Sequence, residues 1–128
     1  MKVLTHNLAK PNLLGEPIYI ETEKKAEVKL TCTEQMVVDK KGLIHGGFTY
    51  GLADYAAMLA INHPNVVLGS SKSRFIAPVK NGDTMTALAK VSESDGRRSV
   101  VNVDVHVGTK IVYSGEFTCY TLNNHVLE

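Results

Sequence analysis

GLIHGGFTYGLADYAAMLAINH, residues 42–63, decides how this chain is read. Between Lys41 and Lys72 the only formally charged side chain is Asp54; the rest of Gly46 to Asn62 is apolar, small or hydroxyl-bearing. This run predicts a helix over 46–62, closed by Pro64, because a proline so placed ends a helix. A soluble helix without a charged face is buried nearly all round. A sheet must therefore wrap it, and something else must cover what the sheet leaves open. A second copy of the chain is the natural candidate.

Outward from the helix the pattern turns to strands. Ala26 to Thr33 alternates, with Ala26, Val28, Leu30 and Cys32 on one face and Glu27, Lys29, Thr31 and Thr33 on the other, the mark of a half-buried strand. Met36 to Val38 is expected to prolong the same arm after an irregularity. After the helix come Val66 to Ile76, a turn over Pro78 to Asp83, Thr84 to Val91, and a polar loop over Ser92 to Gly96. Arg98 to Val107 follows, with Val101, Val103, Val105 and Val107 on one face. Gly108-Thr109 makes a hairpin turn, and Ile111 to Thr121 returns as its partner. Gly115 inside that strand predicts a bulge or a close backbone approach. Residues 1–25, with Pro11, Gly15 and Pro17, read as loop with one short turn of helix. The expectation is one α+β domain over 1–128: a strand, a helix, then four consecutive antiparallel strands over 66–121.

Composition narrows the function classes. The 128 residues carry 14 basic and 13 acidic side chains, a net charge of +1, with 44% apolar and 21% charged residues. That balance offers no electrostatic footprint for nucleic acid or an acidic membrane. No apolar run suits a signal peptide or a membrane span. Cys32 and Cys119 lack metal-ligand spacing and read as buried reduced thiols of a cytoplasmic protein, with no metal and no redox cofactor.

The helix holds the chemistry. At about 100° per residue, Phe48, Leu52, Tyr55 and Leu59 form the stripe expected on the sheet, and Gly47, Gly51, Asp54 and Met58 a second stripe beside it. Each mid-helix glycine costs roughly 1 kcal/mol against alanine, so close approach of a ligand or partner backbone is the expected motive. An aspartate in apolar surroundings has its charged form disfavoured, and such groups concentrate at functional sites. His45-Gly46-Gly47 sits where first-turn amides lack intrahelical acceptors and the helix dipole favours negative charge. Two glycines let a ligand oxygen reach those amides, as in an oxyanion hole for acyl transfer.

Gly-Leu-Ile-His-Gly-Gly (42–47), with Leu52-Ala53-Asp54-Tyr55-Ala56 after it, resembles the active-site segment of hot-dog-fold acyl-CoA thioesterases. It is most similar to the phenylacetyl-CoA thioesterase-like branch, whose motif runs HGG, a spacer, then L-A-D-x-A. The resemblance spans roughly Lys29 to Thr121 and includes Phe75, Pro78, Val79, Lys80, Gly82 and Asp83. It implies a hot-dog fold, an antiparallel sheet of five to six strands around one long helix, in a homodimer, tetramer or hexamer. It implies hydrolysis of an acyl-CoA thioester to free acid and coenzyme A, with no cofactor. The Gly46 amide would polarise the carbonyl, and Asp54 of the facing subunit would act as base or nucleophile. His45 and Gly47 complete the candidate catalytic set. Tyr50, Met58, Ser70, Ser71, Arg97 and Arg98 are the candidate substrate-binding residues, the arginines for coenzyme A phosphates. Where some members carry Asn, six residues before the HGG histidine, this chain has Asp39.

A second resemblance is to the acyl-CoA-sensing domain of the bacterial fatty-acid-synthesis repressor, carried by Tyr113 to Phe117 after Val107-Gly108. That domain binds a thioester without cleaving it and has Asn where thioesterases have their acid. The alternative reading is therefore a non-catalytic acyl-CoA sensor or carrier-binding protein of the same fold. A hot-dog dehydratase fits less well, because its His/acid pair is not evident near the helix.

Overall fold

The computed structural model describes residues 1–128. In chain order its elements are α1 (Pro11–Leu14), β1 (Glu16–Glu21), β2 (Lys25–Thr31), a 3₁₀ turn (Glu34–Met36), α2 (Gly46–Ile61), β3 (Val66–Phe75), β4 (Thr84–Asp95), β5 (Arg98–Val107) and β6 (Lys110–Thr121). All strand pairs are antiparallel, and the sheet order is β1-β2-β4-β5-β6-β3. The sheet curls round α2, whose residues Leu52, Ala53, Ala56, Ala57, Leu59 and Ala60 have no solvent exposure. This is the hot-dog fold.

The strand alternation does the wrapping. Val28 and Leu30 of β2, Met85, Ala87 and Ala89 of β4, and Val101, Val103 and Val105 of β5 turn inward and are buried. Small residues of β4 and the valines of β5 both turn their side chains into the core. A bulge between Val91 and Glu93 bends β4 and shifts its register against β5.

The structure departs from the sequence reading in several places. Glu16–Glu21, in the stretch read as loop or short helix, forms β1 at one sheet edge, where a strand tolerates Pro17 because no inner neighbour needs its missing N–H. Ser92–Asp95, read as loop, continues β4 beyond its bulge. The irregularity before Met36 is a 3₁₀ turn over Glu34–Met36, and Met36 to Val38 does not prolong β2: Val37 forms an isolated bridge with Ile44. β3 does not pair with β4: it crosses to the far edge and pairs with β6 alone.

The second helical stripe is also covered differently. The chain's own N-terminal segment lies along it, and a Cβ on Gly51 would meet the Leu14 methyl at 3.1 Å. Gly51 therefore serves close packing of α1, not approach of a second copy. Gly15, at φ +107°, turns the chain out of α1; a side chain there would collide with Val28 and Leu52. The helix ends on Asn62, left-handed at φ 55°, whose amide donates to the Met58 carbonyl at 2.8 Å. Its buried side chain accepts from the Leu4 amide at 2.9 Å and donates to the Lys2 carbonyl at 2.9 Å and to Thr22 Oγ1 at 3.0 Å. One residue so fastens the N-terminal segment and the β1–β2 turn to the helix end. No helix is long and apolar enough to cross a membrane.

Candidate functional site

The start of α2 is built by backbone first. Asp39 Oδ1 accepts from the amides of Lys41 and Leu43 at 3.0 and 3.1 Å, shaping the turn that leads into the helix. The His45 amide donates to the Met36 carbonyl at 3.0 Å. His45 is the N-cap, and its Nδ1 accepts from the Gly47 amide at 2.8 Å. A cap of this kind satisfies one of the helix's orphan donors. Gly47 is glycine for the same reason, since a Cβ there would stand 2.8 Å from His45 Nδ1.

Of the two glycine amides, then, the chain itself occupies that of Gly47 and leaves that of Gly46 without a protein acceptor. Gly46 lines a cavity of about 340 Å³ with Leu43, Ile44, Thr49, Phe75, Ile76, Ala77, Pro78, Val79 and Val112. The wall is mostly apolar, and Phe75 and Ile76 are 56% and 51% exposed. Phe75 packs edge-on against Tyr113.

Asp54 lies two helical turns further on. Eight residues at 1.5 Å rise put it about 12 Å along the axis from Gly46. Its Oδ1 is buried and has no hydrogen-bond partner. Burial holds its carboxyl above the usual carboxylate range, because desolvation disfavours the charged form. Asp54 faces a second cavity of about 410 Å³, lined also by Thr5, His6, Met58, Pro64 to Leu68, His125 and Val126. Thr5 Oγ1 and His6 Nδ1 are 2.8 Å apart, and partial burial pushes the His6 imidazole below its ordinary value. His6 was invisible to sequence reading, because 48 positions separate it from Asp54 and no local pattern joins them.

Tyr50, Asp54 and Met58 follow one another at intervals of four along α2. The Tyr50 hydroxyl is 2.7 Å from Ser71 Oγ, and the Tyr113 hydroxyl is 2.6 Å from Ser73 Oγ. Two serine–tyrosine pairs thus tie β3 to the interior; Ser73 carried no signal in the sequence, and Tyr113 only its part in the second resemblance. Met58 is buried in the Asp54 cavity wall. Ser70 is exposed and sits just after a bulge at Gly69, where a Cβ would collide with the Tyr120 ring. Gly115 likewise gives room to the Tyr113 and Phe117 rings. Arg97 and Arg98 stand at the β4–β5 turn and line neither cavity. Cys32 and Cys119 are buried free thiols, pushed up to about 11 and about 12, first by desolvation and then by Asp83 and Asp54 respectively.

A single chain therefore holds an unengaged helix-start amide in one cavity and an unpartnered carboxylate in another. The two cavities flank opposite ends of β3: Phe75 borders the first, and Val66, Val67 and Leu68 border the second.

Known proteins of similar sequence and fold define the family. The chain is 45% identical over 117 residues to the methylthioribose-1-phosphate isomerase of Aquifex aeolicus, covering 91% of this chain and 25% of that protein. It is 30% identical over 116 residues to the transcription factor FapR of Caldanaerobacter subterraneus, covering 91% and 58%. The chain thus spans a quarter of the length of the first relative and under two thirds of the second. Among solved structures, protein PH1136 of Pyrococcus horikoshii superposes with a TM-score of 0.98 at 49% identity, over 100% of this chain and 98% of that one. The PaaI protein from the phenylacetic acid degradation operon of E. coli superposes at 0.80 with 26% identity, over 88% and 83%. The family model for the thioesterase superfamily matches residues 41–113, which begin just before the helix-start turn and run through Asp54 to Tyr113. With more than half of its length matched by that model, the chain belongs to the thioesterase superfamily.

Proposed function

We propose that the protein hydrolyses an acyl-CoA thioester to a free acid and coenzyme A, in a site shared between two copies of the chain. The observation that carries this reading is the buried, unpartnered Oδ1 of Asp54. A structural aspartate would satisfy both oxygens; one left desolvated beside a cavity is a group held ready for a ligand.

β3 supplies the reason for two copies. Its ten residues form a sheet edge, and Lys72 to Phe75 are exposed. A long exposed edge is a template for pairing. A two-fold axis through the middle of β3 would pair it with its own copy antiparallel, which is the isologous geometry of most dimers. The Phe75 end, with the Gly46 cavity, would then meet the partner's Val66–Leu68 end, with the partner's Asp54. The roughly 12 Å separation within one chain would close between two.

In that site the thioester carbonyl oxygen accepts from the Gly46 amide, where the helix dipole also favours developing negative charge. Asp54 of the other subunit takes a proton from water as the water oxygen bonds to the carbonyl carbon. The carbon–sulfur bond then breaks, and the thiolate leaves with the proton that Asp54 had taken. Direct attack by the carboxylate, followed by hydrolysis of the anhydride, fits the same placement. His45 is a capping residue in this scheme, since Nδ1 is committed to the Gly47 amide. Tyr50 and Met58 would border the acyl group and Ser71 would fix Tyr50. The homodimer, or a larger assembly of dimers, is part of the proposal, as is residence in the cytoplasm.

The second reading is thioester binding without cleavage, favoured by the similarity to the transcription factor FapR. A panel of short, medium and aromatic acyl-CoA thioesters, assayed for free thiol with wild type and Asp54→Asn, tests both. Thiol release by wild type that falls 10²–10⁴-fold in Asp54→Asn is the expected result. Binding of the panel without thiol release by wild type would give the second reading the field.

A further inference from the structure

We infer that a lysine-ringed cavity beside the Gly46 cavity is the seat of the coenzyme's phosphorylated adenosine head; this rests on the acyl-CoA reading above. The cavity is about 550 Å³, within the usual range of small-molecule sites. It is lined by Lys41, Lys80 and Lys110 around a floor that includes Leu43, Pro78, Val79, Val107 and Val112. Leu43, Pro78, Val79 and Val112 also line the Gly46 cavity, so the two share a wall.

The three lysines come from three separate segments. Lys41 lies in the turn before α2, and Lys80 in the turn after β3, held beside it by the Leu43–Lys80 bridge. Lys110 opens β6 opposite Val107. None of them is paired with a carboxylate; the chain's one ion pair is Lys24–Glu21. Two aspartates also line the cavity, but each has turned an oxygen onto the backbone. Asp39 Oδ1 takes the amides of Lys41 and Leu43, and Asp83 Oδ2 takes the Lys80 amide at 3.0 Å. They shape the turns that hold the lysines in place.

Three lysines without a carboxylate partner lining one cavity suit phosphate, for which lysine acts as a point charge. The apolar floor suits a flat aromatic base. The pantetheine arm would run from this rim along the shared wall to place its thioester at Gly46. This moves the phosphate site from Arg97 and Arg98, which line neither cavity, to lysines on the Gly46 side of the fold.

The test compares one acyl-CoA with the matching S-acyl pantetheine, which lacks the nucleotide, on wild type and on Lys41→Gln/Lys80→Gln/Lys110→Gln. These side chains are exposed, so the variant keeps the fold. The expected result is a KM for acyl-CoA raised about tenfold or more, with kcat unchanged and the pantetheine thioester unaffected. Adenosine 3′,5′-bisphosphate, followed by calorimetry, should bind wild type, weaken with added salt and lose its affinity in the triple variant. This arm needs no hydrolysis, so it stands even if no thioester is cleaved. Unchanged KM and unchanged bisphosphate binding in the variant would overturn the inference. So would a loss that follows Arg97→Gln/Arg98→Gln instead, or a KM effect seen with an acyl carrier protein and absent with acyl-CoA.

Discussion

Replacing Asn62 tests how the N-terminal segment is held against the helix. Asn62→Gly keeps the left-handed φ of 55°, which glycine adopts without steric cost, and removes three side-chain hydrogen bonds of 2.9, 2.9 and 3.0 Å. At about 1 kcal/mol each, the loss is about 3 kcal/mol. Asn62→Ala loses the same bonds and adds the left-handed penalty of about 1–2 kcal/mol, for about 4–5 kcal/mol in all. Unfolding entropy of about 2.1 cal/mol/K per residue over 128 residues converts 3 kcal/mol into a fall in Tm of about 11 °C. The assay is urea unfolding at one fixed protomer concentration, because assembly shifts apparent stability. Hydrogen exchange at the Leu4 amide should show that the N-terminal segment is released before the core. A glycine variant losing under about 1 kcal/mol, with Leu4 still protected, would show that the segment is held by something other than Asn62.

Asp54→Asn should lower turnover by 10²–10⁴ and raise the melting temperature near neutral pH. Burial raises the folded pKa of Asp54, so the native state binds its proton at higher pH than the unfolded state. Stability is then lost as pH rises from the unfolded value through the folded one, and the neutral amide escapes that loss; a lowered Tm would mark Asp54 as structural. In wild type, kcat/KM should fall as pH drops through this raised pKa, a limb that pH–rate profiles would detect. Gly46→Pro removes the free amide at the first helical position, where proline is tolerated, and should cost about 10²–10³ in rate with the helix retained by circular dichroism. His45→Ala should cost about 1 kcal/mol of stability through the lost cap and less than tenfold in kcat; a loss as large as that of Asp54→Asn would return His45 to the chemistry.

The valine strand was legible because alternation carries it, the helix because it is an uncharged run closed by Pro64, and the acid on that helix marked itself. The HGG turn was legible as a place for a bound oxygen, but not the division of labour within it. Only coordinates show the His45 ring taking the Gly47 amide and leaving Gly46 free. β1 was hidden by Pro17, which argues against a strand except at an edge. The place of β3 was hidden because its ten residues fix only that it is a strand. The crossover to β6 is decided by how the sheet closes round α2, a tertiary matter. The cover over the Gly51 edge came from Leu14, 37 positions upstream, too far for any local pattern to report.

Both ends of the chain meet at the Asp54 cavity: Thr5 and His6 form one part of its wall, and His125 and Val126 another. An affinity tag at either terminus therefore hangs at the mouth of the cavity that holds the acid. Activity compared across preparations should be compared untagged, or with the tag position varied as a control. The same placement bears on longer polypeptides. A neighbouring domain joined to either end would sit beside this cavity wall.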